Sequence, residues 1–106
     1  MNDVQDILFG VGTPPSSFAF EILVLIEHAN GAFHGRAMVN GQSPFYQGEG
    51  LSNAVDCYRD SMKAVLQFVR SEGVALLSTA DPPGASQLAS EADRRKVQAS
   101  LGINIP

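Results

Sequence analysis

Residues 18–41 read FAFEILVLIEHANGAFHGRAMVNG, and this stretch decides the fold. It contains Asn-Gly twice, at Asn30-Gly31 and Asn40-Gly41, each time after a run typical of a β-strand. A tight type I′ turn needs positive φ at both central residues, and Asn and Gly tolerate this best. The stretch therefore predicts a hairpin that begins near Phe18, with a third strand after the second turn.

The first turn also predicts a register. If Asn30-Gly31 is a two-residue loop, Ala29 lies opposite Ala32 and the pairing continues outward from there. Successive side chains of a strand point to opposite faces. One predicted face is core and holds Phe18, Phe20, Ile22, Val24, Ile26, Phe33, Ala37 and Val39. The second face holds Leu23, Leu25 and Met38, ringed by Glu21, Glu27, His34 and Arg36.

The second face is a candidate interface. Three large apolar side chains inside a ring of charges are more than a solvated sheet face needs, and such patches mark protein interfaces. A two-residue loop at Asn40-Gly41 would place Tyr46 opposite Gly35, on the core face, and Phe45 near Arg36. The alternative is that the N-terminal arm or the C-terminal segment folds back over this face. The predicted interface residues are Leu23, Leu25, Arg36, Met38 and Phe45.

A helix follows the sheet region. It is predicted from about Leu51 or Ser52 to Ser71, with Ser52 or Asn53 as the N-cap and Gly73 just after its end. Apolar residues at steps of three and four form its buried stripe, namely Val55, Tyr58, Met62, Val65, Leu66 and Val69. A short apolar run, Val74 to Ser78, predicts a fourth strand.

The C-terminal segment is predicted to be a weak helix from about Ser86 to Leu101. Ser90 and Asp93 have the spacing of a cap pair. Because the apolar stripe of this helix is thin, we expect it to pack weakly or to dock on another chain.

These elements predict an α+β fold, with a three- to four-stranded antiparallel sheet packed on one main helix and a weak C-terminal helix. Residues 1–17, with Gly10, Gly12 and Pro14-Pro15, are expected to be a flexible or docking arm. Residues 18–80 are the predicted core domain and residues 81–106 a turn and C-terminal helix or tail. A chain of 106 residues, 44% of them hydrophobic, has room for one core.

Composition narrows the function classes. The net charge of −4 argues against nucleic-acid binding, which relies on Lys and Arg neutralising phosphates. Cys57 is the only cysteine, so no intrachain disulfide forms and a cytoplasmic location is the default. The longest strongly apolar run, Ile22 to Ile26, is too short to span a bilayer, and we expect no membrane role.

The titratable residues form no recognised catalytic or metal signature, so we predict no catalytic residue, no metal and no cofactor. Glu27 facing His34 across the hairpin, with Arg36 diagonal to both, is the one polar constellation with a geometric basis. It fits an acid/base pair or, as we favour, a cross-strand charge pair. His28 and His34 point to opposite faces. Cys57, beside the buried stripe, is expected to be a small core residue.

The order of elements is similar to that of the HicB-type antitoxin-like domain. The resemblance covers Phe20 to Pro83. Gly48 to Val55 stands where that family has its Gly-acidic turn and Ala-containing helix start, and Gly73 through Pro82 stands where it has a Gly, a strand and a Pro. The resemblance implies a non-catalytic, partial RNase-like fold that forms homodimers and binds a small toxin ribonuclease.

We therefore expect a non-enzymatic domain that binds and inhibits a protein partner and forms a homodimer. Acidic residues at the rim of the second face favour a basic partner. One alternative is a small inhibitor or immunity protein of a mobile element, of the anti-CRISPR type. The other is a small hydrolase or ligand-binding domain that uses Glu27, His34 and Arg36.

Overall fold

The architecture is a single antiparallel sheet with two helices on one side. The computed structural model describes residues 3–15, 17–82 and 87–105. Within these ranges the elements are β1 (Asp3–Thr13), β2 (Ser17–Ala29), β3 (Ala32–Val39), β4 (Pro44–Gln47), α1 (Ala54–Glu72), β5 (Ala75–Ala80) and α2 (Glu91–Ser100). The strand order is β4-β3-β2-β1-β5. The predicted α+β class is confirmed, with five strands in the described part of the chain in place of three or four.

The extra strand is β1, so the predicted flexible or docking arm is wrong over Asp3–Thr13. Residues 1, 2 and 16 of the predicted arm lie outside the described residues. β1 pairs with β2 along its whole length and with β5 on its other side, so it lies inside the sheet. Its side chains Ile7, Phe9 and Val11 are fully buried. The core therefore does not begin at residue 18.

The glycines of β1 permit close approach and do not end the strand. A Cβ atom at Gly10 would lie 2.5 Å from Ser78 Oγ of β5, and one at Gly12 would collide with the carbonyl oxygen of Ser17. A larger residue at Gly12 would force the neighbouring backbone away, whereas one at Gly10 would require the Ser78 side chain to rotate.

The hairpin of β2 and β3 has the predicted register. Asn30 and Gly31 have φ values of 54° and 76°, as a type I′ turn requires. The pairing runs from Ala29 opposite Ala32 to Ile22 opposite Val39. The hairpin's predicted division into two faces is therefore confirmed for these residue pairs.

The second turn is not a two-residue loop. The Gln42 amide donates to the Val39 carbonyl at 2.8 Å, but Pro44 then pairs with Met38, and a bulge follows before Tyr46 pairs with Ala37. Pro44 has no amide hydrogen to give to the ladder, which favours such an irregularity. The predicted pairing of Tyr46 with Gly35 is wrong.

α1 covers the core face of the sheet. Asn53 caps it by accepting a hydrogen bond from the Asp56 amide at 2.8 Å, and Gly73 ends it with φ of 69°. Its buried side is formed by Ala54, Cys57, Tyr58, Ser61, Met62, Val65 and Val69. The predicted stripe is confirmed except that Val55 and Leu66 are only partly buried.

α2 packs on the same side of the sheet. Ser90 accepts a hydrogen bond from the Asp93 amide at 3.1 Å, which confirms the cap pair. Contrary to the expected weak packing or docking on another chain, Val97 is buried in the core and Gln98 donates to the Tyr58 hydroxyl at 3.0 Å. The C-terminal helix is therefore held by its own chain, and the opposite face of the sheet has no helix on it in the described ranges.

Candidate protein-binding face

The uncovered side of the sheet carries side chains of three adjacent strands in rows. The pairings place Val4, Glu27 and His34 in one row, Asp6, Leu25 and Arg36 in the next, and Leu8, Leu23 and Met38 in the third. We call these nine positions the open face. It joins the second face of the hairpin to the outward side of β1.

The open face is more apolar than a solvated sheet face. An antiparallel sheet with one covered side normally places polar residues on the other side. Here five of the nine positions are large and apolar, all are partly exposed, and none packs against the core. They are Val4, Leu8, Leu23, Leu25 and Met38. The run Ile22 to Ile26 therefore has the composition of a strand that is buried on both sides.

Phe18 extends this apolar surface at one end. It is 64% exposed, and its ring lies 3.9 Å from the position that a Cβ atom of Gly10 would take. The sequence prediction placed Phe18 on the core face with Phe20. A shift of register between Val11 and Gly12 turns it outward, so that prediction is wrong.

The middle row of the open face carries two charges on either side of Leu25. Asp6 Oδ1 is buried and has no hydrogen-bond partner among the described residues. Leaving such an oxygen unsatisfied costs about 1–3 kcal/mol. Arg36, two strands away, lies 3.9 Å from Glu27 Oε1, and its side chain is 35% exposed. Its guanidinium has donors available beyond that long contact.

Four of the five predicted interface residues lie together on the open face: Leu23, Leu25, Arg36 and Met38. The fifth, Phe45, does not. Its ring stacks on Phe68 of α1 with centroids 4.2 Å apart, on the covered side of the sheet. The bulge in β4 turns it there, and Gln47 takes the position opposite Arg36.

Sequence reasoning missed Val4, Asp6 and Leu8 because it assigned them to an arm. The signal was present, since Gln5, Ile7, Phe9 and Val11 alternate with them at the period of a strand. The prediction of an arm gave more weight to Gly10, Gly12 and Pro14-Pro15 than to this alternation.

Glu27, His34 and Arg36 meet as predicted at the end of the hairpin. They line a shallow depression of about 400 Å³ together with Gln47 and Gly48. His28 is on the other side of the sheet, stacked on Phe33 with centroids 4.2 Å apart. The described residues contain no group of three acidic, His or Cys side chains that could hold a metal ion.

Cys57 is a core residue, as predicted. It is 2% exposed, and a Cβ atom at Gly35 would lie 3.0 Å from its sulfur, so α1 packs closely on β3 here. Burial, and to a smaller extent the charge of Asp60, raise the pKa of the thiol to about 11. At neutral pH the thiol stays protonated, and this disfavours nucleophilic chemistry.

A second polar cluster fastens α2 to the sheet. Arg94, 4% exposed, donates from both terminal nitrogens to Asp81 at 2.7 Å and from Nε to the Ala89 carbonyl at 3.1 Å. The hydrogen bond from Arg94 holds the pKa of Asp81 below its ordinary value. Because every part of this guanidinium is engaged within the chain, we interpret the cluster as structural.

The wider relationships of the chain add nothing to these observations. It matches no protein-family model, no curated protein and no solved structure. Within the described ranges, neither helix has the length and apolar character needed to cross a membrane.

Proposed function

We propose that this chain is a non-enzymatic protein-binding domain and that the open face is its binding surface. The observation that carries the proposal is the set of five large apolar side chains on a sheet side that no helix of the described residues covers. A rigid sheet holds them in a fixed pattern, and a preorganised apolar surface loses little entropy when it binds.

The charges around the apolar centre give the partner a chemical character. Asp6 and Glu27 lie on the open face, and Glu21 lies at its edge, where it accepts a hydrogen bond from Asn40 at 3.2 Å. Arg36 is the one side chain of fixed positive charge among the nine positions. We therefore expect a partner protein that differs from this chain to carry basic residues where it meets the rim of the open face.

The kind of role that fits is inhibition of a protein partner in the cytoplasm, as in HicB-type antitoxins. The support for this is the order of elements from Phe20 onward and the single, buried cysteine. Binding through the open face would block the surface of the partner, and this kind of inhibition requires no catalytic group.

Affinity capture with the tagged protein tests the proposal. The wild type is expected to retain a stoichiometric protein from extracts of its source cells, and Leu25→Glu is expected to lose it. The substitution places a charge at the centre of the apolar contact. The captured protein is then purified and titrated against both forms by calorimetry.

Gln67→Glu is the matched control, because Gln67 is exposed on the far side of α1 and the substitution adds the same charge. It should bind as the wild type does. Equal binding of the captured protein by Leu25→Glu and the wild type would contradict the proposed surface.

A further inference from the structure

We infer that the occupant of the open face is a second copy of this chain, related by a two-fold axis that runs along β2 at Leu25. This inference rests on the proposed function, since it names the partner of the same surface. The juxtaposition that carries it is the row Asp6, Leu25, Arg36, with a carboxylate at one end and a guanidinium at the other.

The symmetry follows from the charges. When two sheets pack face to face about an axis parallel to β2, β1 of one copy lies over β3 of the other. Each row then faces the same row of the partner, with the order of the strands β1, β2 and β3 reversed. Arg36 faces Asp6 of the partner on both sides of the axis, and Leu25 meets its own equivalent at the centre.

The other simple axis, perpendicular to the strands, is disfavoured. It would place β1 over β1 and β3 over β3, so that Asp6 faces Asp6 and Arg36 faces Arg36. Like charges facing each other in a desolvated contact oppose association. The axis along β2 is therefore the one that gives each charge of the row an opposite.

The same axis pairs the remaining rows acceptably. Met38 meets Leu8 of the partner, and Leu23 meets its equivalent. The two Glu27 carboxylates approach each other near the rim, but each has Arg36 of its own chain 3.9 Å away. The arrangement leaves the strands of the two sheets nearly aligned, which is one of the two common ways that sheets pack.

The dimensions suit a dimer. Five strands spaced by about 4.8 Å and on average about eight residues long at about 3.3 Å per residue give the whole uncovered side of the sheet an area of about 600 Å². Standard interfaces bury about 800 Å² on each partner, so a contact that is centred on the open face and extends over the flanking strands and Phe18 approaches that size. Packed sheets lie about 10 Å apart, a gap that Arg36 spans to reach the partner's carboxylate.

Sedimentation velocity from about 1 µM to about 1 mM tests the inference with a charge exchange. The wild type is expected to dimerise in this range. Asp6→Arg and Arg36→Asp should each weaken dimerisation by about tenfold or more, because each places like charges opposite one another twice. The double variant Asp6→Arg/Arg36→Asp should recover wild-type affinity to within about threefold, because the pairs are restored with their signs exchanged.

Mixing the two single variants provides an independent measurement. In the mixed dimer, Arg36 of one chain faces Asp6 of the other, and the two introduced residues face each other with opposite charge. The mixture should dimerise although neither component does at the same concentration. Circular dichroism of every variant confirms that the fold is retained.

A wild type that stays monomeric throughout, or a double variant as weak as the single variants, would overturn the inference. If the wild type is monomeric while Leu25→Glu still loses a captured protein, the inference falls and the proposed function stands. If the dimer forms but is indifferent to the charge exchange, the axis is wrong.

Discussion

At the scale of single residues, the side chain of Gln5 links β1 to the segment just before α2. Gln5 is fully buried, although the strand around it is apolar on that side. Its side-chain nitrogen donates to the Ala89 carbonyl at 3.0 Å, and its side-chain oxygen accepts from the Ala89 amide at 2.7 Å. One amide side chain thus satisfies both backbone groups of a buried residue just before α2.

Gln5→Leu should lower the free energy of unfolding by about 1–3 kcal/mol, because it removes both hydrogen bonds and leaves the Ala89 amide buried without an acceptor. Urea denaturation followed by circular dichroism measures this. Gln67→Leu, the same substitution at an exposed site, is the control and should change the free energy by less than about 0.5 kcal/mol. If Gln5→Leu lowered the free energy of unfolding as little as Gln67→Leu does, water would be replacing the two hydrogen bonds.

At the scale of elements, α2 depends on an ion pair for its position. Asp81, at the end of β5, accepts two hydrogen bonds from Arg94, and the hydrogen bond lowers the pKa of Asp81 in the folded state. A carboxyl group whose folded pKa is below its unfolded value stabilises the fold above the unfolded pKa. It loses that contribution as the pH falls through the folded pKa.

We expect Asp81→Asn to destabilise the protein at neutral pH, since it leaves Arg94 buried without its counter-charge. The difference from the wild type should shrink as the pH falls below the ordinary Asp pKa of 3.8. Denaturant titrations at several pH values measure the difference. Glu91→Gln, which removes an exposed pair with Arg95, should show little effect at any pH. A difference that is the same at all pH values would show that Asp81 acts by shape and not by charge.

Some elements could be predicted from the sequence and others could not. The β2–β3 hairpin, α1 and its caps, and the Ser90 cap all follow from local chemistry and were predicted correctly. β1 was missed because Gly10 and Gly12 look like breaks, while their role is to admit β5 and the Ser17 backbone. Phe45 and Phe18 were misplaced because one-residue shifts in β4 and at Gly12 reverse the faces. Pro44 favours an irregularity in β4 but does not fix its register, and the shift at Gly12 depends on contacts with other strands, which local sequence does not encode.

At the scale of the whole molecule, one side of the sheet forms the core and the other side is the open face. Val24 is fully buried under α1, and its neighbour Leu25 is on the open face. The candidate site could be predicted from the hairpin as far as Leu23, Leu25, Arg36 and Met38. Its other half comes from β1, and the row of charges exists only when β1 and β3 flank β2.

Val24→Glu and Leu25→Glu compare the two sides directly. Val24→Glu should unfold the chain, because it buries a carboxylate in the core without a partner. Leu25→Glu should keep the fold at low protein concentration, with a free energy of unfolding within about 1 kcal/mol of the wild type. The thermal midpoint of the wild type should rise with protein concentration, and that of Leu25→Glu should not. Scanning calorimetry at two concentrations measures both, and unfolding of Leu25→Glu would place Leu25 in the core.

The bond between Gln5 and Ala89 also bears on how the chain acquires its structure during synthesis. The two residues are 84 positions apart, so the ribosome must produce nearly all of the described chain before one of its first strands gains this partner. A sheet of β1, β2 and β3 that forms before α1 is synthesised would expose apolar side chains on both sides, and partly finished structures of this kind are prone to aggregate. Because contacts between distant residues form slowly, we expect the nascent chain to be most exposed to aggregation before α1 and α2 emerge.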